Sequence, residues 1–393
     1  MTTVTFADLG VDEVLVRQLS SQGIERPFPI QALAIPDVLA GRDVCGKAKT
    51  GSGKTLAFGL PLLMRTPPAE AKRPASLVLV PTRELALQVA GVLAPLAGAL
   101  ERRVGVVYGG ADLDRQVAAL DTGLDLVVAT PGRLIDLVAR GAVALEAVRT
   151  LVVDEADRMA DMGFLPQVEW LLRRMAGRRQ TLLFSATLEP AVNRLVARYL
   201  HEPVFHEVRS DTVTVRAMEH VFLKVHQMDK ARVAAAIVAG AGKTILFCRT
   251  KRGADRLVAE LRQAGVRAAA VHGDLRQPMR ERALAAFAAG KLPALVATDV
   301  AARGLHIEGV DVVVHYDPPE DHKAYLHRSG RTARAGARGI AVTLVLWDQE
   351  LSTERLQRRL GLRRPMVEIF SNDPRLRDLD ALCGEPPAAS SAS

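Results

Sequence analysis

The chain contains little cysteine. Its three cysteines, Cys45, Cys248 and Cys383, are far apart in 393 residues and lack the close spacing of a metal-binding motif. An odd number of widely separated thiols does not make a disulfide framework, so a reducing compartment is the expected location. The sequence therefore predicts a protein that relies on neither disulfides nor a thiolate metal centre.

Long apolar runs and a leader pattern are also lacking. No run of about 18 apolar residues occurs, so no segment is expected to cross a membrane. The first residues show none of the basic, apolar and small-residue succession that directs secretion. The composition, 49% hydrophobic and 24% charged, is ordinary for a globular protein, and 393 residues suffice for two domains. A cytoplasmic, two-domain protein is the expectation.

Positive charge exceeds negative charge. The formal net charge is +8, and arginine greatly outnumbers lysine. Guanidinium groups bind phosphate through paired N–H bonds, so an excess of arginine favours an anionic partner. The same excess is compatible with simple surface solvation, and charge alone leaves both interpretations open.

Short β-rich runs alternate with helical stretches, which predicts α/β domains whose mainly parallel sheets are covered by helices on both faces. The first set of predicted strands is 43–48, 77–80, 104–108, 124–129, 151–153 and 181–184. The second set is 220–225, 244–247, 267–271, 294–297, 310–315 and 340–345. The predicted organisation is a first domain at 1–205, a linker at 206–217, a second domain at 218–350 and a C-terminal extension at 351–393 with a disordered end.

A glycine-rich segment, 48–55, follows the first predicted strand. Gly51 and Gly53 allow backbone amides to turn toward phosphate oxygens, and Lys54 supplies a positive charge for the β- and γ-phosphates. Thr55 offers a hydroxyl to Mg²⁺, and the following helix points its positive end at the anion. The predicted nucleotide-binding residues of this loop are Thr50, Gly51, Ser52, Gly53, Lys54 and Thr55.

An acidic segment, 154–157, reads Asp-Glu-Ala-Asp and directly follows the predicted strand 151–153. Asp154 is predicted to hold Mg²⁺, largely through water, and Glu155 to orient or deprotonate an attacking water. Carboxylates after a strand can also cap a helix, but that role explains only one of the three. Together with the glycine-rich segment, Asp154 and Glu155 predict binding and hydrolysis of a nucleoside triphosphate.

The order of these and later motifs resembles the DEAD-box RNA helicases, over roughly residues 6–340. The resemblance implies two RecA-like domains, ATP and Mg²⁺ as ligands, and RNA as a partner bound with low sequence specificity. It also implies that a group of residues couples hydrolysis to strand separation, although Ser and Thr are common helix caps too. These residues are Asp157, Ser185, Thr187 and His327.

The segment before the phosphate loop resembles the adenine-recognition motif of the same family. Gln31 carries an amide donor and acceptor that match an adenine edge. Phe6 is predicted to stack on the base, and a role as a core residue is about equally compatible. Phe28 stands where the family usually has Thr.

Polar groups after other predicted strands resemble the family's RNA-backbone motifs. Hydroxyls, glycines, helix-start amides and arginines are the groups expected at sugar and phosphate. In the first domain they are Pro81, Thr82, Arg83, Gly109, Gly110, Thr130, Pro131, Gly132 and Arg133. In the second they are Arg249, Thr250, Gly273, Arg280 and Thr298. Each is ordinary alone, and the glycine pair is also typical of a plain turn.

Two arginines, Arg331 and Arg334, lie in a segment that resembles the family's arginine motif. Three residues apart on one helical face, they would reach a single anion together. The resemblance implies that they stabilise charge on the γ-phosphate, with a solvated basic helix as the alternative. Gly304 and His306 are also predicted at the nucleotide. His306 replaces the family's usual Asp, which predicts weaker or pH-dependent ATP binding.

The function predicted from these residues is RNA-stimulated ATP hydrolysis coupled to local unwinding of short RNA duplexes or remodelling of RNA–protein complexes. The alternatives are an ATP-gated RNA clamp without productive unwinding and a DNA-directed helicase. Residues 351–393 contain no Gly-Arg repeat, so only weak, nonspecific RNA affinity is expected from them. Ribosome-assembly or RNA-decay proteins are compatible partners, and no membrane partner is expected.

Overall fold

The computed structural model describes residues 4–48, 51–175, 177, 179–208, 218–299, 309–332 and 339–383. The chain divides into two compact units, Met1–Ser210 (unit 1) and Asp211–Ser393 (unit 2). Each unit contains one seven-stranded sheet, and all its strand pairs are parallel. The predicted α/β fold with two parallel sheets is therefore confirmed. The predicted domain bounds stay predictions, because much of the predicted linker lies outside the described residues.

Unit 1 has the sheet order β3-β4-β2-β5-β6-β1-β7. Its strands are β1 Val44–Lys47, β2 Ser76–Leu79, β3 Val104–Val107, β4 Leu126–Ala129, β5 Thr150–Asp154, β6 Gln180–Ser185 and β7 Val204–Glu207. Its helices are α1 Glu13–Ser21, α2 Pro29–Leu39, α3 Lys54–Arg65, α4 Arg83–Ala99, α5 Leu113–Asp121, α6 Pro131–Ala139, α7 Ala156–Asp161, α8 Leu165–Arg174 and α9 Pro190–Tyr199. Six strands match the prediction to within a few residues. The prediction lacked β7, a half-exposed edge strand.

Unit 2 has the sheet order β10-β11-β9-β12-β13-β8-β14. Its strands are β8 Met218–Lys224, β9 Thr244–Cys248, β10 Ala268–Val271, β11 Ala294–Thr298, β12 Val312–His315, β13 Gly339–Val345 and β14 Met366–Glu368. Its helices are α10 Lys230–Gly240, α11 Lys251–Gln263, α12 Gln277–Ala288, α13 His322–Ser329, α14 Glu350–Leu360 and α15 Asp380–Cys383, with short 3₁₀ turns at Trp347–Gln349 and Pro374–Arg377.

The inner strands are buried on both faces, as expected when helices cover a parallel sheet. Along β2, Val78 belongs to one hydrophobic core, while Leu77 and Leu79 belong to another on the opposite face. Unit 2 repeats this alternation: Leu246 lies in one core and Phe247 in the other. Because successive side chains of a strand point to opposite faces, continuous apolar runs are what such sheets require.

Residues that follow β13 complete unit 2. The edge strand β14 pairs with β8, and Leu376 and Leu382 are buried in the core beside α10 and α11. The charged composition of this segment hides these few apolar positions. Among the described residues, no helix combines the length and apolar character needed to span a membrane.

Candidate active site

The described part of the glycine-rich loop before α3, residues 51–53, has the glycine turn that the sequence predicts. Gly51 and Gly53 have φ angles of 84° and 83°, in the left-handed region that favours glycine. Gly53 is also closely approached, because a Cβ there would collide with the amide nitrogen of Gln31 and the ring of Phe28. The tight turn brings the chain into α3, whose first residue is Lys54.

Gln31 ties the start of α2 to this loop. Its Oε1 accepts a hydrogen bond from the Phe28 backbone N–H at 2.7 Å, and its Nε2 donates to the Gly53 carbonyl at 2.9 Å. The side chain is buried, so these bonds set its orientation. Its adenine contact stays a prediction. Phe6 is 2% exposed and packs in the hydrophobic core, which supports the core role that the sequence left open for it.

Lys54 and Asp154 place opposite charges in a buried position. The Lys54 Nζ lies 3.9 Å from Asp154 Oδ1 and has no hydrogen-bond partner within the described part of the chain. Burial raises the pKa of Asp154 to about 6, although the Lys54 charge opposes this shift. A buried ammonium without a hydrogen-bond acceptor is costly unless a ligand supplies one. Phosphate oxygens are suitable acceptors.

Glu155 directly precedes α7 in a strained conformation. Its φ angle is 53°, which costs a non-glycine residue about 1 kcal/mol. The carboxylate is buried and accepts a hydrogen bond from Arg158 Nη1 at 2.6 Å. Sequence reasoning missed Arg158, although its i, i+3 spacing from an acidic residue was a usable signal. This ion pair holds the predicted catalytic carboxylate in place.

The residues predicted to hold Mg²⁺ fit that ion. Asp154 contributes a buried carboxylate at the end of β5, and Thr55 stands in the first turn of α3. Within the described ranges no group of three or more His, Cys, Asp or Glu residues forms a closed metal site. Mg²⁺ usually keeps several waters and takes one or two carboxylates plus substrate phosphates, so a single carboxylate beside a phosphate loop suits it.

Three of the predicted coupling residues come together between β5 and β6. Asp157 Oδ2 accepts hydrogen bonds from the Thr187 backbone N–H at 3.1 Å and from its hydroxyl at 3.3 Å. The Ser185 hydroxyl accepts from the Asp157 N–H and donates to the Thr187 carbonyl. The segment after β6 is thereby fastened to the acidic segment after β5. His327 lies on α13 in unit 2.

The predicted RNA-binding residues of unit 1 follow β2, β3 and β4. The Thr82 hydroxyl caps α4 by accepting the Leu85 N–H at 3.3 Å. Gly110 has a φ of 84°, in the left-handed region that favours glycine, and the guanidinium of Arg83 lies where a Cβ would stand. Arg133 Nη1 and Nη2 both donate to the Ala111 carbonyl at 3.3 Å. The remaining members lie on the same segments: Pro81, Gly109, Thr130, Pro131 and Gly132.

The corresponding residues of unit 2 follow β9, β10 and β11. The Thr250 hydroxyl caps α11 by accepting the Gly253 N–H at 2.9 Å. Arg249 and Gly273 are exposed, while Thr298, the last residue of β11, is buried. Arg280 lies in the first turn of α12, after Gln277. These groups share the carboxyl edge of one sheet, where α/β proteins bind ligands.

The prediction that Arg331 lies on a helical face is wrong. Helix α13 ends at Ser329, and the Arg331 N–H bonds to the Arg328 carbonyl at 3.2 Å, a tightened turn beyond the helix. The following Thr332 hydroxyl bonds to the Asp311 carbonyl at 3.0 Å, which directs the chain toward the sheet. Four other predicted site residues lie outside the described residues: Thr50, Gly304, His306 and Arg334.

The chain matches two protein-family models. Residues 28–195 match the DEAD/DEAH box helicase family, and residues 229–336 match the helicase conserved C-terminal domain. The ATP-dependent RNA helicase CshA of Listeria monocytogenes is 43% identical over 342 residues, or 86% of this chain and 66% of that protein. CshA of Geobacillus kaustophilus is 42% identical over 345 residues, or 87% of this chain and 73% of that protein.

Solved structures show the same relationship. S. cerevisiae Dbp5 bound to RNA and ADP BeF3 is similar with a TM-score of 0.82 and 28% identity, covering 95% of this chain and 98% of that one. A DEAD box protein from Methanococcus jannaschii has a TM-score of 0.52 and 31% identity over 93% of this chain and 99% of that one. The chain therefore belongs to the DEAD-box family of ATP-dependent RNA helicases, a class of ATP-hydrolysing enzymes.

Proposed function

We propose that this chain hydrolyses ATP when RNA is bound and uses the cycle to separate short RNA duplexes or remodel RNA–protein complexes. The buried Lys54 ammonium, which has no hydrogen-bond acceptor among the described residues, carries the proposal. It lies at the start of a helix that follows a left-handed glycine turn, where phosphate binds readily. A triphosphate would supply the acceptors that this buried charge needs.

The neighbouring carboxylates have distinct tasks in this proposal. Glu155 orients or deprotonates the attacking water, and its ion pair with Arg158 restricts the directions that the carboxylate can take. Asp154 and Thr55 are the residues that would hold Mg²⁺, which when bound neutralises phosphate charge. Arg331 and Arg334 add positive charge at the γ-phosphate, as the family resemblance predicts.

The carboxyl edges of the two sheets supply the proposed RNA contacts. Their groups are hydroxyls, glycine backbone and guanidinium groups, which suit sugar and phosphate rather than bases. Sequence preference should therefore be low, and contacts to the 2′-hydroxyl would favour RNA over DNA. The fold match to Dbp5, which is described as bound to RNA, supports this assignment.

Coupling between the ligands would pass through the segment after β6. Asp157 holds both the acidic segment and the Ser185–Thr187 turn, so a change at the nucleotide can shift that turn. If closure of the protein requires both ATP and RNA, each ligand must increase the affinity for the other by the same factor.

Steady-state ATP hydrolysis with single-stranded RNA, with DNA of the same sequence and without nucleic acid tests the proposal. We expect strong stimulation by RNA alone and loss of that activity in Glu155→Gln. Glu169→Gln is a matched control, because Glu169 is a glutamate of unit 1 that pairs with Arg173 on the surface. Hydrolysis that ignores RNA, or that DNA drives equally, contradicts the proposal.

A further inference from the structure

The two sheets have the same strand order, so their positions can be matched. Strand β8 occupies in unit 2 the place of β1 in unit 1, and β12 occupies the place of β5. Helix α3 follows β1 and begins with Lys54, whereas α10 follows β8 and begins with Lys230. Both lysines are buried, with 6% and 2% exposure. Lys230 is thus the positional counterpart of Lys54.

Strand register also identifies the residues of unit 2 that correspond to Asp154 and Glu155. The register can be aligned at Leu79 in β2 and Phe247 in β9, because each lies three residues before the threonine that caps the next helix. Val153 in β5 lies opposite Leu79, and His315 in β12 lies opposite Phe247. The two residues after Val153 are Asp154 and Glu155. The two residues after His315 are Tyr316 and Asp317.

In unit 2, two side chains of the protein itself contact the counterpart lysine. Lys230 Nζ lies 3.1 Å from Asp317 Oδ1 and 4.4 Å from the centre of the Tyr316 ring. The connection from β8 to α10, residues 225–229, contains no glycine and so has no phosphate-binding turn of the unit 1 type. This arrangement satisfies the lysine charge internally, so a nucleotide is not needed there.

Asp317 also contacts the turn that follows β9. Its Oδ2 accepts the Arg249 backbone N–H at 2.8 Å, and its own N–H donates to the Phe247 carbonyl at 3.0 Å. One carboxylate therefore joins the buried lysine to the first residue of the turn. The next residue, Thr250, caps α11.

We propose that Lys230 and Asp317 are positioning residues for RNA: their ion pair holds the turn that presents Arg249 and Thr250. The inference rests on the proposed function, because it takes these two residues as RNA contacts. Lys230 fixes the Asp317 carboxylate, which is 25% exposed and would otherwise rotate toward water and leave the Arg249 amide. A loose turn would present the Arg249 guanidinium in many orientations, and RNA affinity would fall.

A double-mutant cycle tests this inference in the full-length protein. The variants are Lys230→Met, Asp317→Asn and Arg249→Ala, and the measured quantity is the RNA concentration that half-saturates ATP hydrolysis. We expect each single variant to raise this half-saturating RNA concentration by roughly tenfold. Arg249→Ala combined with Asp317→Asn should raise it little further, because both changes remove the same contact. The affinity for a fluorescent ADP analogue without RNA should change by less than about twofold.

Lys224→Met is the matched control, because Lys224 forms a 2.8 Å ion pair with Glu350 elsewhere in unit 2. It should leave the RNA requirement unchanged. Additive effects of Arg249→Ala and Asp317→Asn, or equal losses in ADP and RNA affinity, overturn the inference. If Lys230→Met fails to fold, the Asp317 and Arg249 pair decides alone. Wild-type hydrolysis that ignores RNA overturns the proposed function as well, whereas RNA stimulation with additive effects overturns this inference only.

Discussion

The two units place a buried lysine at the same point of the same sheet order, yet leave it in opposite states. In unit 2, Lys230 is bonded to Asp317 and covered by the Tyr316 ring. In unit 1, Lys54 has no hydrogen-bond partner among the described residues, and Glu155 holds a strained φ angle. Backbone strain and a buried ammonium without a hydrogen-bond acceptor persist where a ligand is expected to supply that acceptor. The difference is the one expected if unit 1 binds the nucleotide and unit 2 does not.

The strongest test of this comparison exchanges each lysine for methionine. Lys54→Met should reduce ATP hydrolysis by about a thousandfold, because it removes the positive charge at the phosphates. Lys230→Met should leave hydrolysis at saturating RNA within about tenfold of the wild type, since that lysine acts only on an RNA-contacting turn. Steady-state kinetics measures both. Equal losses in the two variants would break the distinction between the units.

Acidic pH should weaken the binding of Mg²⁺ by unit 1. Burial raises the pKa of Asp154 to about 6, so protonation should weaken Mg²⁺ binding by about tenfold per pH unit below that value. Mg²⁺ titration of ATP hydrolysis between pH 5 and pH 7, roughly spanning this pKa, measures the effect. An unchanged Mg²⁺ requirement would contradict the raised pKa.

Acidic pH should have the opposite effect on the stability of the ligand-free protein and should increase it. The folded-state pKa of Asp154 lies above its ordinary value of 3.8, so the folded protein binds a proton more tightly than the unfolded chain. This group therefore adds stability as pH falls from about 6 toward 4. The contribution is lost as pH rises through about 6. Asp154→Asn should remove that pH dependence from the free energy of unfolding, and its persistence in the variant would assign it to another group.

The same lysine exchanges should have opposite signs in unfolding experiments. Below about pH 6 the neighbouring Asp154 is protonated and needs no opposite charge, so Lys54→Met then removes a buried charge without a hydrogen-bond acceptor and should stabilise the ligand-free protein by about 1 kcal/mol. Lys230→Met leaves Asp317 without its partner and should destabilise it by about 2 kcal/mol. Urea unfolding of the ligand-free protein measures both values. Destabilisation by both exchanges would show that Lys54 is satisfied in solution.

Replacing a helix cap should have the smallest effect on stability, and the effect should be the same in both units. Thr82 and Thr250 accept the backbone N–H three residues ahead at the start of α4 and α11. Replacing either by alanine should cost about 1 kcal/mol, as is common for an N-cap. Urea midpoints for the two transitions would measure this. A marked difference between the variants would show that the matched positions are not energetically equivalent.

Local patterns predicted the two parallel sheets and the glycine turn at Gly51 and Gly53, since apolar strands and glycine turns are short-range signals. The strands β7 and β14 were missed because they are short, half-exposed edges. Asp317 was missed because its partners, Lys230 and Arg249, are 87 and 68 residues away in the chain. Such pairings follow from strand order, which spacing does not reveal. The effect of His306 stays a prediction.

Gln31 gives the phosphate loop a link to a distant segment. Its amide bonds to the Phe28 N–H and to the carbonyl of Gly53, which lies 22 residues after Gln31, so a rearrangement of the loop must disturb the first turn of α2. Hydrogen exchange at the Phe28 amide therefore becomes a natural reporter of loop conformation. A nucleotide that remodels the loop would change the lifetime of that single proton, a signal that requires neither turnover nor RNA.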